Sequence, residues 1–429
     1  MKKTTLFAAL AGCAVIGGLG FIGLAEYGQH KSFTAIDAKA VTGAADQVAR
    51  GQYVAAMGDC AACHSVPGAQ PYAGGYALQT PFGVIKSSNI TQDPETGIGG
   101  WNLAQFDKAV RHGIGSHGYL YPAMPYTAYS KMTDQDMADL WAYIKTLPAV
   151  RQKVVENELP FPYNQRLLLA GWNLLFFKDQ VFTSLPGVTA AVNRGDYLVN
   201  GPGHCAACHT AKNALGGDVA AAFAGGTLQG WHAPDLTPNP HTGLGKWSNE
   251  DVVSYLKTGT SRQAVAAGPM MEAVENSTQY LTDDDLHAIT AYLQQLPASQ
   301  ATPPAAISAS DEQVVQGKLV YESQCIACHI STGAGVRQMI PALAGNAQVN
   351  AKDPASPLHA VLKGIEGPLT EGNPTAAGMP GFDWKMADED IAAVSTYLRN
   401  TWGNSAPRVT REQVAKARKT VGAQTWIGK

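Results

Sequence analysis

Three pentapeptides carry the chemistry that this sequence can do. They are Cys60-Ala61-Ala62-Cys63-His64, Cys205-Ala206-Ala207-Cys208-His209 and Cys325-Ile326-Ala327-Cys328-His329. Two thiols at this spacing lie on one turn of chain, so they can add to the two vinyl groups of a single porphyrin. The histidine that follows then sits beneath the iron and ligates it. One copy would also suit a zinc site or a redox dithiol. Three copies use every cysteine except Cys13, and they predict three covalently bound haem c groups.

The second axial ligand decides what such irons do. A haem held by histidine alone is open to oxygen or peroxide, whereas a His/Met haem is closed and suited to electron transfer. A thioether suits ferrous iron and should lie on a loop ahead of the last helix of each domain. Met124, in Tyr121-Pro122-Ala123-Met124-Pro125-Tyr126, lies 60 residues after His64. Met270 lies 61 residues after His209, with Met271 as its competitor, and Met379 lies 50 residues after His329. Flanking prolines would fix these loops. The axial pairs are therefore His64 with Met124, His209 with Met270, and His329 with Met379. His112 and His117 are alternatives to Met124. His204 reads as a polar loop residue, while His232, His241, Trp101, Trp247, Arg111 and Arg262 are candidates for hydrogen bonds to haem propionates. No Ser-His-Asp arrangement, nucleotide loop or separate metal cluster is evident, so no catalytic residue is assigned.

The elements around these motifs repeat. Each unit opens on a short helix containing a glycine (Gly51, Gly195, Gly317), which predicts close approach of another helix. Each closes on an amphipathic helix, at 132–144, 281–293 and 386–398. Thr133 and Thr282 are natural N-caps, and the acidic first turns suit the helix dipole. Tyr143, Tyr292 and Tyr397 hold equivalent places and should pack on the opening helices. The first two units share a Pro/Gly-rich middle loop (89–101 and 235–247) that the third lacks, and β signals are weak. The expected fold is all-α: three tandem cytochrome c domains at 45–150, 190–298 and 311–404. A linker at 151–189 contains the apolar stretch Leu167 to Phe177, read either as packing between domains or as a docking segment. The linker at 299–310 is rich in Pro, Ala and Ser and reads as flexible. Residues 405–429 read as a polar, basic tail.

Length, composition and charge set the bounds. At 429 residues the chain is too long for one ordinary core. Its net charge is −3 and it has no basic run, so nothing favours nucleic-acid binding. Residues 1–25 form a targeting segment. Lys2 and Lys3 precede an uncharged stretch from Thr4 to Ala25, close to the roughly 20 residues that span a bilayer. Three fates compete: cleavage before Glu26, retention as an N-terminal membrane anchor, or a lipid on Cys13. In each case the mature chain is exported, which agrees with the haem reading.

The chain resembles the three-haem cytochrome c subunits of membrane-bound periplasmic dehydrogenases, over roughly Arg50 to Asn404. The carriers are Gly58-Asp59-Cys60-Ala61-Ala62-Cys63-His64, Tyr121 to Tyr126, Gly201 to His209, Ser277 to Leu286 and Pro341 to Asn346. The resemblance implies a catalytic dehydrogenase subunit of flavin, pyrroloquinoline quinone or molybdenum type as partner, with or without a small third subunit. It implies ubiquinone as acceptor and a place on the periplasmic face of the bacterial cytoplasmic membrane. The substrate, an alcohol, sugar acid or aldehyde, would be oxidised by the partner. A peroxidase-like haem enzyme is the alternative, with the second site the candidate for an openable iron.

Overall fold

The computed structural model describes residues 20–423. Lys2, Lys3, Cys13 and most of the apolar leader lie outside the described residues, and so do the expected anchor and lipid there. Residues 20–30 are helical. Among the described residues no helix is long and apolar enough to cross a membrane.

The chain divides into two compact units. One comprises the chain up to Val54 together with Gln70–Phe182; the other comprises Ala55–Ala69 together with the chain from Thr183 onward. Both are mostly helical. Among the described residues there are four two-stranded antiparallel hairpins: Ala77–Thr80 with Gly83–Lys86, Ile114–Gly115 with Gly118–Tyr119, Gly226–Leu228 with Trp231–Ala233, and Gly364–Glu366 with Gly378–Pro380.

One device recurs in all three repeats. The opening helices Ala45–Met57, Ala190–Asn200 and Glu312–Gln324 cross the closing helices Asp134–Ile144, Asp283–Leu293 and Asp388–Leu398. A Cβ on Gly51 would stand 1.9 Å from the carbonyl oxygen of Asp139; on Gly195, 2.0 Å from that of Ala288; on Gly317, 2.1 Å from that of Ala393. Tyr143, Tyr292 and Tyr397 pack at the same three crossings. The glycines are present because backbone meets backbone there. Thr133 and Thr282 cap as expected, accepting from the amides of Asp136 and Asp285. Two crossings also carry an ion pair, Arg50 with Asp139 and Arg194 with Asp285, each at 2.8 Å.

The shared middle loop works as a clasp. In the first repeat Asn89 donates to Val150 O (2.8 Å) and Thr96 accepts from the amide of Gln152 (3.0 Å). In the second, Asn239 donates to Ser299 O (3.0 Å) and Ala301 O (2.9 Å), while Ser299 N donates to Thr237 Oγ1. The segment leaving the closing helix is thus held by the loop. The 299–310 linker is pinned again further on, where Ile307 N donates to Asn400 Oδ1 and Pro304 O accepts from Ser405. It is a strapped connection and not the flexible join that its composition suggests.

Two further segments differ from their sequence reading. Within 405–429, Arg411–Ala423 is a helix whose Val414 and Val421 are buried, with Val409, in the core formed by Tyr321, Leu358, Leu362, Ile391 and Val394. The apolar stretch of the 151–189 linker becomes a short helix, Leu169–Phe176. Its Asn173 accepts from the Tyr126 hydroxyl (2.7 Å), and Trp172 and Phe177 pack edge-on against Tyr126. Leu174 and Leu175 face outward, 85% and 67% exposed. One face of this stretch packs on Tyr126 and the other is surface.

The second and third repeats share one compact unit and are joined by polar contacts as well as apolar ones. Gln348 and Ser356 both donate to His232 O, Thr370 donates to Thr258 O, and Trp231 stacks on His359 with ring centroids 4.1 Å apart.

Candidate haem sites

Each motif is a single helical turn: Cys60–His64, Ala206–His209 preceded by Cys205, and Ile326–His329 preceded by Cys325. In the first two repeats the residue before the first cysteine sits in the left-handed region, Asp59 at φ 50° and His204 at φ 36°. Aspartate and histidine tolerate that region better than most residues. The corner breaks the opening helix and turns the motif across its end. The third repeat instead runs almost straight from its helix into the motif, with Gln324 still helical.

The second motif shows how a histidine is prepared for iron. The imidazole of His209 is buried, and its Nδ1 lies 2.7 Å from the carbonyl oxygen of Pro234. That carbonyl accepts only, so Nδ1 carries the proton and Nε2 is left with its lone pair free for a metal. Burial pulls the imidazole pKa below its ordinary value, which keeps the ring neutral and able to ligate. Burial likewise lowers the pKa of His329, opposed by the Pro341 carbonyl. The thiols of Cys60 and Cys205 are pushed up to about 12 by burial, and that of Cys325 to about 11. Such thiols do not present thiolates at neutral pH.

The third site brings its candidate ligands together. Cys325, Cys328, His329 and Met379 all line one cleft of about 120 Å³ that opens to solvent. Met379 is brought there by the short Gly364–Glu366/Gly378–Pro380 hairpin, in which it pairs with Ile365. Ile340, Pro341 and Phe382 complete the apolar lining. The donor set, one imidazole and one thioether flanking two thiols across an apolar slot, fits a covalently held haem. Val265 of the second repeat also lines this cleft. Nothing in the sequence marked it, because its role depends on how two repeats pack.

The remaining candidates fall in different places. Met270 and Met271 lie in the first turn of the helix Pro269–Asn276, not on an extended loop. That helix packs on the first motif, Cys60–His64, and its Glu272 acts electrostatically on Asp59 and Cys63. Met124 lies in a turn in which its amide donates to Tyr121 O, half-buried within the first unit. Of its two alternatives, His112 stacks on Phe33 and pairs with Asp179 at 2.9 Å, and His117 is exposed at a hairpin turn. Arg111 is buried and engaged by Asp107 and Asp134, Arg262 pairs with Asp251, and Trp247 packs edge-on against Tyr255. Both arginines make structural ion pairs.

Small helical repeats, each closed by a glycine-lined helix crossing and each bearing a Cys-x-x-Cys-His turn, define a c-type cytochrome. The chain belongs to the cytochrome c family, whose model matches residues 48–148, 192–297 and 314–402. It therefore binds haem c covalently. It is 41% identical over 394 residues to the cytochrome c subunit of alcohol dehydrogenase (quinone) from Gluconacetobacter polyoxogenes, covering 87% of this chain and 84% of that one. It is 39% identical over 405 residues to the gluconate 2-dehydrogenase cytochrome c subunit of Pantoea cypripedii, covering 89% and 91%. To the fructose dehydrogenase cytochrome subunit of Gluconobacter japonicus it is 37% identical over 405 residues, covering 86% and 82%.

Proposed function

We propose that this chain is the electron-transfer subunit of a dehydrogenase complex at the periplasmic face of the cytoplasmic membrane. It takes electrons from a separate catalytic subunit and passes them through three haem c groups to ubiquinone or another respiratory acceptor. The observation that carries this reading is the third cleft, where both attachment cysteines, the histidine and the methionine line one apolar slot. The relatives are named as cytochrome subunits of dehydrogenases with different substrates, which supports a chain that conducts electrons and leaves substrate chemistry to its partner.

Haem supplies an iron that cycles between ferrous and ferric states. The chain's residues hold it. Cys60 and Cys63, Cys205 and Cys208, and Cys325 and Cys328 would attach it; His64, His209 and His329 would be its imidazole ligands, and Met124, Met270 and Met379 its thioether ligands, which would favour the ferrous state. Met124 is paired with His64 on sequence register alone. Met270 is preferred to Met271 on sequence register, lying 61 residues after His209 where Met124 lies 60 after His64. Pro234 O, 2.7 Å from Nδ1, holds the His209 ring in one orientation, with Nε2 free for the iron that the site would hold.

The test is reduction by the physiological partner. Membranes are purified with the tagged chain, and the co-purifying dehydrogenase is identified by its cofactor. On addition of that enzyme's substrate, the haem α-bands should rise within its turnover time. No haem reduction while the partner oxidises substrate with an artificial acceptor would refute the role.

A further inference from the structure

We propose that the apolar leader is retained in the working protein and that, together with the outer face of the helix Leu169–Phe176, it forms the chain's contact with a lipid bilayer. The proposal rests on the reading of the chain as an exported subunit at the membrane.

The end of the leader is built into the first repeat. In the helix over residues 20–30, Phe21, Ala25, Gly28 and Gln29 fall on one face, at i, i+4, i+7 and i+8. All four meet the body of the unit. The Phe21 ring lies over Gly171, where a Cβ would stand 3.4 Å from it. Ala25 is 1% exposed, and its carbonyl accepts from the Tyr119 hydroxyl at 3.0 Å. A Cβ on Gly28 would collide with that same hydroxyl, so only glycine fits. The carbonyl of Gln29 accepts from Lys108 Nζ at 2.7 Å. Beyond the helix, Phe33 stacks on His112 with ring centroids 3.7 Å apart.

This arrangement argues against cleavage before Glu26. The cut would remove Phe21 and Ala25, bare the Gly171 face, and strip the buried Tyr119 hydroxyl of its acceptor. The uncut chain instead carries an uncharged run from Thr4 to Ala25 behind Lys2 and Lys3. That run is long enough to span a bilayer. The two lysines hold its start on the cytoplasmic side, which puts Glu26 and the haem motifs outside.

The surface beside the docked face is apolar too. Ile22 and Leu24 are exposed on the leader helix. On the helix Leu169–Phe176, Leu174 and Leu175 lie one turn beyond Gly171 and within about 60° of it, at about 100° per residue. They share the face on which Phe21 sits, while Trp172 and Asn173 turn to Tyr126. No charged residue interrupts residues 167–177. Exposed leucines and an isoleucine around the point where the leader joins suit hydrocarbon and not water. Their occupant is the bilayer interface, because the leader delivers them there.

Intact mass of the mature chain purified from membranes reads its N-terminus, and pyridine haemochrome counts its haem. A mass that includes residues 4–25 is expected. A chain beginning at Glu26, or at an acylated Cys13, would overturn the proposal; if that chain still carries three haems, the electron-transfer reading stands, and a chain without haem would overturn both. Contact is read by alkylation. Leu174→Cys and, as a control exposed on the same unit, Val155→Cys are each made in the full chain with Cys13→Ser, so that the new thiol is the one outside the haem motifs. Each is purified without partner subunits, reconstituted into phosphatidylcholine vesicles and treated with a charged maleimide, its rate being divided by that of the unfolded chain. Leu174→Cys should react several-fold more slowly than Val155→Cys. Equal rates in vesicles would overturn the bilayer assignment, and protection that returns only with co-purified dehydrogenase would give the face to that partner instead. If Leu174→Cys fails to mature, Leu175→Cys takes its place with the same outcomes.

Discussion

Gly317→Ala tests the helix crossing on which each haem motif is hung. The added Cβ would lie 2.1 Å from the carbonyl oxygen of Ala393, 2.6 Å from its carbon and 2.7 Å from the Cβ of Tyr397. Two of these are backbone atoms that no rotamer change can move. Ordinary carbon contacts begin near 3.5 Å, so the helices Glu312–Gln324 and Asp388–Leu398 must part by about 1 Å. Overpacking of this kind costs about 1–3 kcal/mol or more, against about 1 kcal/mol returned by alanine's better helix propensity. The expected net loss is about 2 kcal/mol. The displacement also propagates to Cys325, which directly follows the helix. Denaturant unfolding followed by far-UV circular dichroism and by haem absorbance measures it. Leu319→Ala, on the exposed face of the same helix, is the control and should change stability by less than about 0.5 kcal/mol. A Gly317→Ala protein as stable as wild type would refute the reasoning for all three crossings.

Two other perturbations have worked signs. Arg399 is almost wholly buried and donates to the carbonyls of Val349 (3.0 Å) and Pro407 (3.2 Å), with burial bringing its pKa down to about 10. Arg399→Met leaves those carbonyls without a donor and should lower stability by about 2 kcal/mol in the same unfolding assay; an unchanged midpoint would contradict this. The pKa of His359 is lowered from 6.5 to about 4, first by burial and then by Lys363. The unfolded chain therefore takes up a proton as pH falls through 6.5, while the folded chain resists until about 4. Stability is full above that window and declines through it, by about 3 kcal/mol at its lower end. His359→Phe, which keeps an aromatic partner for Trp231, should flatten the decline between pH 6.5 and 4; an identical pH profile would exclude His359 as its source.

The parts legible from the sequence were those whose signals are local. Gly51, Gly195 and Gly317 announced the crossings because only a residue without a side chain fits there, and Thr133 and Thr282 announced the helix starts by their own hydrogen bonds. The cysteine–histidine spacing is likewise short-range chemistry. What escaped depends on partners distant in sequence. The 405–429 segment reads as a polar tail because Val414, Ala417 and Val421 form a thin apolar stripe among Arg411, Lys416, Arg418 and Lys419. Only the core beneath shows that the stripe is buried. The hairpins, two to four residues per strand, are too short to show alternation. The 299–310 linker is held by side chains from two repeats, so its composition alone suggested freedom.

The central claim is three closed irons in one chain, and carbon monoxide tests it most directly. The fully reduced protein is exposed to the gas, and the bound fraction is read from the Soret shift against haem counted as pyridine haemochrome. The account predicts three haems per chain and almost no shift, because Met124, Met270 and Met379 fill the sixth positions; Met379→Leu should then open about a third of the haem. A native protein with fewer than three haems, or with one haem that binds carbon monoxide fully, would contradict it.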